Sequence, residues 1–314
     1  MKHAATGLGL CLLAGLAPAG AQDAVPAWTP VWAEEFEGEA IDRTRWRFDI
    51  DCWGGGNNER QCYTDREANA RIVDGELHII ARRERARGPA EPMDWHPDGQ
   101  VDSVTRPFTS ARLTTRGLAG WTYGRIEVRA MLPEGQGVWP AIWMLPEDRA
   151  YGGWAASGEI DIMEAVNLGT RCADCPGGVE NRVHGTLHYG GEWPENAYSG
   201  SAVALEDPAG RFHTFAVEWG EGEIRWFVDG ELYASQTSQT WYTAGEAPDR
   251  PHAPFDRKFH LLLNLAVGGN WPEGQNEGGV SEDGFPRTFR IDWVRVHACG
   301  VPGADARPCF SGGE

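Results

Sequence analysis

The sequence has almost no lysine and no apolar run long enough to cross a membrane. Lys2 and Lys258 are the two lysines among 28 basic residues, while 46 residues are acidic, so the formal net charge is −18 at pH 7. Such a charge argues against nucleic acid or an anionic membrane as a partner, because both are also negatively charged. The apolar segment 8–16 is too short to span a bilayer, and no later segment is long enough.

The N-terminus has the pattern of a secretory signal instead. Lys2 gives the positive start, residues 8–16 form the apolar stretch, and Ala19-Gly20-Ala21 is a small-residue cleavage site. We therefore expect residues 1–21 to be a signal peptide. The mature protein would begin near Gln22 and be secreted, either into a periplasm or out of the cell.

Long amphipathic helices, internal repeats, linkers and low-complexity tracts are also missing. Period-two alternation of apolar and polar residues predicts β-strands at 77–81, 126–132, 215–219, 224–228 and 291–296. Hairpin turns are predicted at Asp74-Gly75, Gly220-Glu-Gly222 and Asp229-Gly230. We expect one all-β domain, residues 22–314, of two stacked antiparallel sheets. The stretch 85–106 shows the least pattern and is expected to be a surface excursion.

Six cysteines remain after the signal segment, which is an even number and is typical of disulfides in an exported protein. Pairing of neighbours is the simplest arrangement, and the sequence leaves the other pairings open. These neighbours are Cys52 with Cys62, Cys172 with Cys175, and Cys299 with Cys309. Cys172 and Cys175 also have zinc-ligand spacing, but no second such pair or histidine cluster completes a zinc site.

The segment Gly158-Glu-Ile-Asp-Ile-Met-Glu164 is the strongest functional signal. On a strand, Glu159 and Asp161 point to one face, and Glu164 falls on the other by strict alternation. One extra residue in a β-bulge, assigned here to Met163, would return Glu164 to the face of the other two acids.

Three carboxyl groups this close repel one another, so at least one should stay protonated near neutral pH. Glycoside hydrolysis needs such a set, because one carboxylate attacks the sugar and another carries a proton to the leaving oxygen. A calcium site and a solvated strand face are the non-catalytic alternatives. A solvated face would more often carry Lys, Thr or Arg among its acids.

Tryptophan is abundant, with 15 residues, and its rings can stack on the apolar faces of sugars. Trp139 and Trp143 lie in the predicted strand before the acids and share one face. Most tryptophans of a sandwich belong to its core, and we expect this of Trp219, Trp226 and Trp293.

The segment from Val138 to Asn167 resembles the active-site region of glycoside hydrolase family 16, in its laminarinase-like branch. That branch has two residues between the last two acids, as this sequence does. Further matches lie along nearly the whole mature chain, at 32–36, 57–64, 109–112, 123–127, 185–188, 264–272 and 291–294. The resemblance implies a concanavalin-like β-jelly-roll sandwich with a substrate cleft across its concave sheet.

The resemblance also implies roles for individual residues. Glu159 would be the nucleophile, Glu164 the general acid and then base, and Asp161 would hydrogen-bond the nucleophile. His188 would lie near Glu164 on the leaving-group side. Sugars would be held by a set of cleft residues: Trp139 and Trp143 as the floor of the reacting subsite, Asn57 and Arg112 toward the non-reducing end, and Trp121, Asn270 and Trp271 as further candidates.

A structural calcium ion is a second implication of the resemblance. Its ligands would be the backbone oxygens of Glu35 and Gly75 and the side chain of Asp292, and oxygen ligands suit calcium. The alternative is a tightly packed junction of the chain ends with no metal. No cofactor is expected for catalysis, and the protein is expected to be a monomer.

Together these observations predict a retaining endo-1,3-β-glucanase acting on β-glucan polysaccharides such as laminarin. A mixed-linkage 1,3-1,4-β-glucanase is the main alternative among enzymes, and a galactan hydrolase is a more distant one. A non-catalytic β-glucan-recognition module is the alternative from another class, although such modules typically lose the acids that are present here.

Overall fold

A computed structural model describes residue 1, residues 27–247 and residues 250–310. The predicted signal peptide therefore lies outside the described residues, apart from Met1. The strands, in chain order, are β1 (Trp28–Glu34), β2 (Arg47–Phe48), β3 (Gln61–Tyr63), β4 (Ala70–Val73), β5 (Glu76–Pro89), β6 (Ser103–Ser110), β7 (Arg112–Thr114), β8 (Gly124–Met131), β9 (Val138–Pro146), β10 (Glu159–Glu164), β11 (Arg182–Gly190), β12 (Asn196–Ala204), β13 (His213–Gly220), β14 (Glu223–Val228), β15 (Glu231–Thr237), β16 (Phe259–Val267) and β17 (Arg287–Cys299).

Helical structure in the described part of the chain is limited to short segments. One α-helix, α1, spans Asn270–Glu273, and single 3-10 turns occur at Met93–Trp95, Pro176–Gly178 and Arg307–Cys309. None of these is long and apolar enough to cross a membrane.

The strands form two sheets, as the alternation predicts. One has seven strands in the order β12-β11-β10-β9-β16-β7-β2, and all of its pairs are antiparallel. The other has ten strands, with β15-β14-β13-β8-β17-β5-β6-β3 as its main path and β1 and β4 attached to β17 and β5. Only β3 and β6 pair in parallel among the described strands. The predicted jelly-roll sandwich is confirmed.

Two of the predicted hairpins show why the sequence turns where it does. Asp74 and Gly75 have φ of 51° and 79°, and Asp229 and Gly230 have φ of 50° and 84°. Two successive positive φ angles match the right-handed twist of the flanking strands, and Asp-Gly tolerates them well. Each pair therefore closes a tight two-residue turn, between β4 and β5 and between β14 and β15.

The core lies between the two sheets and is filled by alternate residues of the strands. Trp219 and Trp226 are fully buried there, as expected. Trp226 belongs to the ten-stranded sheet, and its Nε1 donates to the backbone oxygen of Asp161 at 2.8 Å. This bond ties the two sheets together directly behind the acids. The expectation for Trp293 is wrong: its ring is only partly buried and packs on the Arg295 guanidinium, because Trp293 follows a break in register.

The stretch 85–106 is more regular than predicted. Strand β5 continues to Pro89 and β6 starts at Ser103, so only residues 90–102 form the excursion. Arginines alternate with other residues on β5 at Arg83, Arg85 and Arg87. An exposed strand pair of this kind buries little apolar surface, so its sequence carries no hydrophobic period.

Three disulfides join neighbouring cysteines: Cys52 with Cys62, Cys172 with Cys175, and Cys299 with Cys309. The simplest pairing is therefore the one found. Since both sulfurs of the Cys172–Cys175 pair are bonded to each other, the zinc-like spacing reflects a disulfide.

Candidate active site

The acidic strip, defined as Glu159, Asp161 and Glu164, lies on β10 in the seven-stranded sheet. Strand β9 pairs on one side and β11 on the other. Opposite the three acids on β11 stand His188, Thr186 and His184. Directly opposed residues of antiparallel strands share a face, so all three acids face the same way.

A β-bulge produces this arrangement, as the spacing of the acids predicts. The register against β9 shifts between Asp161 and Met163, and the register against β11 shifts between Asp161 and Glu164. Met163 keeps Ile142 as its partner on β9, so Ile162 is the residue without a counterpart there. The extra residue of the bulge is therefore Ile162, one position before the predicted Met163. Both side chains are buried in the core, which anchors the bulge from behind.

Glu159 is held by two neighbours that favour its charged form. Trp154 Nε1 donates to Glu159 Oε2 at 2.7 Å, and His188 Nε2 lies 3.6 Å from Glu159 Oε1. Burial and repulsion from Asp161 act in the opposite direction and are stronger, so the pKa of Glu159 is raised to about 8. The carboxyl group remains reachable, since 12% of the side chain is exposed.

Glu164 has a different set of partners. Trp139 Nε1 donates to its Oε1 at 3.0 Å, and burial followed by repulsion from Asp161 raises its pKa to about 8. A carboxyl group with such a pKa carries its proton at neutral pH. Glu164 can therefore act as a proton donor under conditions in which an ordinary glutamate cannot.

Asp161 is the most deeply buried of the three acids. Burial raises its pKa, and its Oδ2 lies 3.2 Å from His188 Nε2. Because three close carboxyl groups cannot all be charged, the strip holds protons that Asp161 and its neighbours share.

Two histidines border the strip. His188 lies beside Glu159 and Asp161, and its charge also acts on Glu164, while His184 is the residue opposite Glu164. Burial lowers the pKa of His184 to about 4, so its ring is neutral, and it contacts the Trp271 ring edge-on at 5.1 Å.

The side of the strip toward β9, β16 and β7 is connected by a chain of hydrogen bonds. Trp143 Nε1 donates to Asn264 Oδ1 at 2.6 Å, and Asn264 Nδ2 donates to the Tyr63 hydroxyl at 3.0 Å. That hydroxyl donates to Glu59 Oε2 at 3.3 Å, where Gln61 Nε2 also donates at 2.6 Å. Asn264 pairs with Ala141 and Ala141 with Glu164, so the relay starts on the face of the acids, where it fixes the plane of Trp143.

The predicted sugar-binding residues Asn57 and Arg112 join the same network. The Asn57 side chain hydrogen-bonds to Glu59, and burial raises the pKa of Glu59 despite its donors. Arg112 donates to Asp49 at 2.6 Å and Asp51 at 3.4 Å, and its guanidinium lies 4.9 Å from the centre of the Tyr63 ring. Arg112 is thus fixed by carboxylates before any ligand binds.

The remaining cleft candidates lie in three places. Trp271 borders the strip, since it contacts Trp139 edge-on at 5.3 Å, and Asn270 is bonded to the loop of Asn57 and Asn58. Trp121 instead packs against Trp32 at the margin of the main core. The structure thus brings Trp271 to the acids, Asn270 to the loop that carries Asn57, and Trp121 to the core aromatics.

Several residues at the site carried no clear sequence signal. Trp154 lies in a loop, and its hydrogen bond to Glu159 depends on how that loop folds. Glu59 was part of a family motif, but its burial became visible only in the structure. His184 could have been found by extending the β10–β11 register past the bulge. Tyr198, whose ring lies 5.7 Å from that of His188, comes from β12, the edge strand of the sheet.

Ligand atoms of Glu159, Asp161 and His188 lie within 4.8 Å of one another, close enough for one ion. Any such ion would have to displace the protons that the raised pKa values of the two acids indicate. In the described part of the chain one other group, Cys172, Cys175 and Glu180, meets the same distance criterion, and its sulfurs are disulfide-bonded.

The sandwich and its row of buried acids among indole rings define the class of protein: a glycoside hydrolase built on a β-jelly roll. Residues 66–295 match the family model of glycosyl hydrolases family 16, and the chain belongs to this family. Enzymes of this family need no cofactor for catalysis.

Relatives of known name cover most of the chain. It is 41% identical to a beta-glucanase of Rhodothermus marinus, over 88% of this chain and 87% of the relative. It is 37% identical to glucan endo-1,3-beta-glucosidase A1 of Niallia circulans, over 87% of this chain but only 38% of that longer protein. The solved structure of the laminarinase from Rhodothermus marinus superposes with a TM-score of 0.69 at 40% identity, covering 87% of this chain and 98% of that one.

Proposed function

We propose that this protein is an endo-acting hydrolase of 1,3-β-glucosidic bonds in β-glucans such as laminarin. The observation that carries the proposal is the bulge on β10, which brings Glu164 to the face of Glu159 and Asp161. The relatives support the choice of substrate, because their names specify 1,3-β-glucan or laminarin.

The reaction is a double displacement with retention. Glu159 attacks the anomeric carbon while the glycosidic bond breaks and Glu164 gives its proton to the leaving oxygen. Glu164 then takes a proton from water, which attacks the glycosyl-enzyme and frees Glu159. This mechanism requires the two carboxyl groups to be about 5–5.5 Å apart.

The surroundings of the acids suit these two roles. Trp154 and His188 supply a hydrogen bond and a nearby ring nitrogen that stabilise a Glu159 anion. Burial and mutual repulsion raise the pKa values of both glutamates, so the coupled strip keeps at least one proton at neutral pH. Because Trp154 and His188 favour the anion at Glu159, Glu164 is the group that keeps this proton. A protonated Asp161, between the two, would donate to the nucleophile and tune its charge.

The proposed binding of the non-reducing part of the chain uses the hydrogen-bonded side. Trp139 and Trp143 would floor the reacting subsite, and Asn57 and Arg112 would bond sugars further along. Asn270 and Trp271 would close the edge of the cleft next to Trp139.

Activity on laminarin tests the proposal. Purified protein should release reducing sugar, and Glu159→Ala and Glu164→Ala should each lower kcat by at least about 1,000-fold. Glu231→Ala, at an exposed glutamate of the other sheet, is the matched control and should keep full activity. Early product followed by NMR should be the β-anomer. Early α-product, or full activity of Glu159→Ala, would rule the assignment out.

Linkage preference follows from comparing rates on laminarin and lichenan. We expect laminarin to be the faster substrate, and equal or faster lichenan hydrolysis would favour the mixed-linkage alternative. Binding of laminarin without hydrolysis would instead indicate a recognition module.

A structural calcium site is proposed at Glu35, Gly75 and Asp292. The β17 register supports this choice, because Asp292 lies between Ile291, whose partner is Leu77, and Val294, whose partner is Glu34. Two backbone oxygens and a carboxylate form an all-oxygen donor set. The Asp292 carboxylate already accepts a hydrogen bond from Arg129, and calcium would compete with it. Calcium should raise Tm over that in chelator, and an equal Tm would argue for the metal-free junction.

We also propose that the protein is secreted and monomeric. N-terminal sequencing of the exported protein should begin near Gln22. Light scattering during gel filtration should give the mass of one chain.

A further inference from the structure

The two sides of the acidic strip differ in what has been assigned to them. All the sugar-binding residues proposed above lie toward β9, β16 and β7 or in loops that adjoin these strands. On the other side of β10, strand β11 carries the two histidines His184 and His188, and no sugar-binding residue has been assigned to β12. An endo-acting enzyme must also hold the part of the chain beyond the cleaved bond, so this side needs a binding surface of its own.

Aromatic rings continue outward from the strip on this side. Trp154, which bonds Glu159, lies 5.5 Å from the His188 ring, and His188 lies 5.7 Å from the ring of Tyr198. Tyr198 is the register partner of His188 on β12. The backbone N–H of Trp193, in the turn between β11 and β12, donates to the Trp154 oxygen at 2.8 Å.

The outer two rings are unusually exposed. Tyr198 is 71% exposed and Trp193 is 73% exposed, whereas large aromatics normally bury most of their surface. The neighbours of Tyr198 on the same face of β12 are small: Gly200 and Ala202 leave the strand surface low beside it. A flat, rigid ring beside an unobstructed strand surface can stack on the apolar face of a pyranose.

We propose that Tyr198 and Trp193 form an acceptor site, which binds the β-linked glucosyl units on the leaving-group side of the cleaved bond. The proposal rests on the function proposed above. The rings follow directly from Glu159 through Trp154 and His188, and a glucan that crosses β10 from the β9 side continues over β11 and β12. After the first displacement the same site would hold an incoming sugar, so transfer to a glucan acceptor would compete with transfer to water.

Cleavage patterns test the acceptor site most sharply. The substrate is laminarihexaose labelled with ¹⁸O at its reducing end, and the variants are Tyr198→Ala, Trp193→Ala and the double variant. Loss of the acceptor site should move cleavage toward the reducing end, because fewer units are held beyond the cut. It should also lower the ratio of kcat/KM for laminarihexaose to that for a nitrophenyl β-laminaribioside by roughly tenfold.

The control Tyr198→Phe keeps the ring and should keep the wild-type cleavage pattern. A wild-type pattern in the double variant, with an unchanged kcat/KM ratio, would overturn the acceptor site while leaving the glucanase intact. Absence of activity in the wild-type protein on both substrates would instead contradict the proposed function. Transfer to added laminaribiose should fall relative to hydrolysis in the alanine variants, and an unchanged transfer ratio would also count against the site.

Discussion

The two sides of the acidic strip are built on different principles. Toward β9, polar side chains are buried and hydrogen-bonded in a relay from Trp143 through Asn264 and Tyr63 to Glu59. Toward β12, Tyr198 and Trp193 leave most of their rings exposed. One side is fixed before a substrate arrives, and the other offers rigid contact area.

This difference fits the different tasks of the two sides. The sugar that is attacked has to be held in one orientation against Glu159, and a preformed network does this without ordering side chains at the moment of binding. The leaving segment has to depart after the first displacement. Stacking on exposed rings supplies affinity with few directional bonds, so release does not require a network to be broken.

The largest expected effect comes from breaking the relay at its centre. Asn264→Leu keeps the approximate size of the side chain and removes both of its hydrogen bonds. Since Trp143 then loses its fixed plane, we expect kcat/KM to fall about 100-fold on both laminarihexaose and the aryl laminaribioside. Kinetics on the two substrates, with thermal melts to verify folding, provide the measurement. If kcat/KM fell for laminarihexaose alone, the relay would act on the leaving-group side, and the two sides would not have the separate tasks given above.

A smaller effect is expected on the stability of the protein when Glu159, in the strip between the two sides, is changed. Glu159 has an ordinary pKa near 4.5 when unfolded and about 8 when folded, so the native state binds this proton more tightly. Stability is therefore lost as pH rises between these values. Glu159→Gln removes this loss and should raise Tm by about 2–4 °C at pH 8.

The same variant should show no gain at pH 4, where both states of the wild-type carboxyl group are largely protonated. Glu59→Gln is the contrasting variant. Its carboxyl oxygens already accept hydrogen bonds from Asn57, Gln61 and Tyr63, so we expect no comparable gain. Equal stabilisation by both variants would mean that the hydrogen bonds of the relay do not stabilise the Glu59 carboxylate relative to Glu159.

The smallest effect is expected in the pH profile. The hydrogen bond from Trp139 Nε1 lowers the pKa of Glu164, although burial and repulsion outweigh it. Trp139→Phe removes this bond and keeps an aromatic ring, so the basic limb of kcat/KM should move to higher pH. An unchanged limb, or a move to lower pH, would indicate that another group controls it.

The sequence alone was sufficient for the features that depend on local pattern. Alternation predicted the two-sheet sandwich, and the odd spacing of Glu164 predicted the bulge, because a strand face can be counted residue by residue. Asp-Gly pairs placed the tight turns. Parity indicated disulfides, and the simplest of the pairings that the sequence left open is the one found.

Features that depend on long-range contacts could not be predicted in this way. Trp154 reaches Glu159 from a loop, and Glu59 meets Asn264 through Tyr63 across some 200 residues of sequence. The place of His184 opposite Glu164 was missed because it depends on the bulge, which shifts the β11 partners beyond Asp161. Trp293 looked like core because the break in register before it is not visible in an alternating pattern.

Covalent trapping tests the central claim most directly. A 2-deoxy-2-fluoro laminaribioside with a dinitrophenolate leaving group should inactivate the enzyme, and peptide mass spectrometry should find the sugar on Glu159. The same label should accumulate on Glu159 in Glu164→Ala, since the second displacement then lacks its base. Labelling of Glu164 or Asp161, with Glu159 unmodified, would contradict the assignment of the two carboxyl groups.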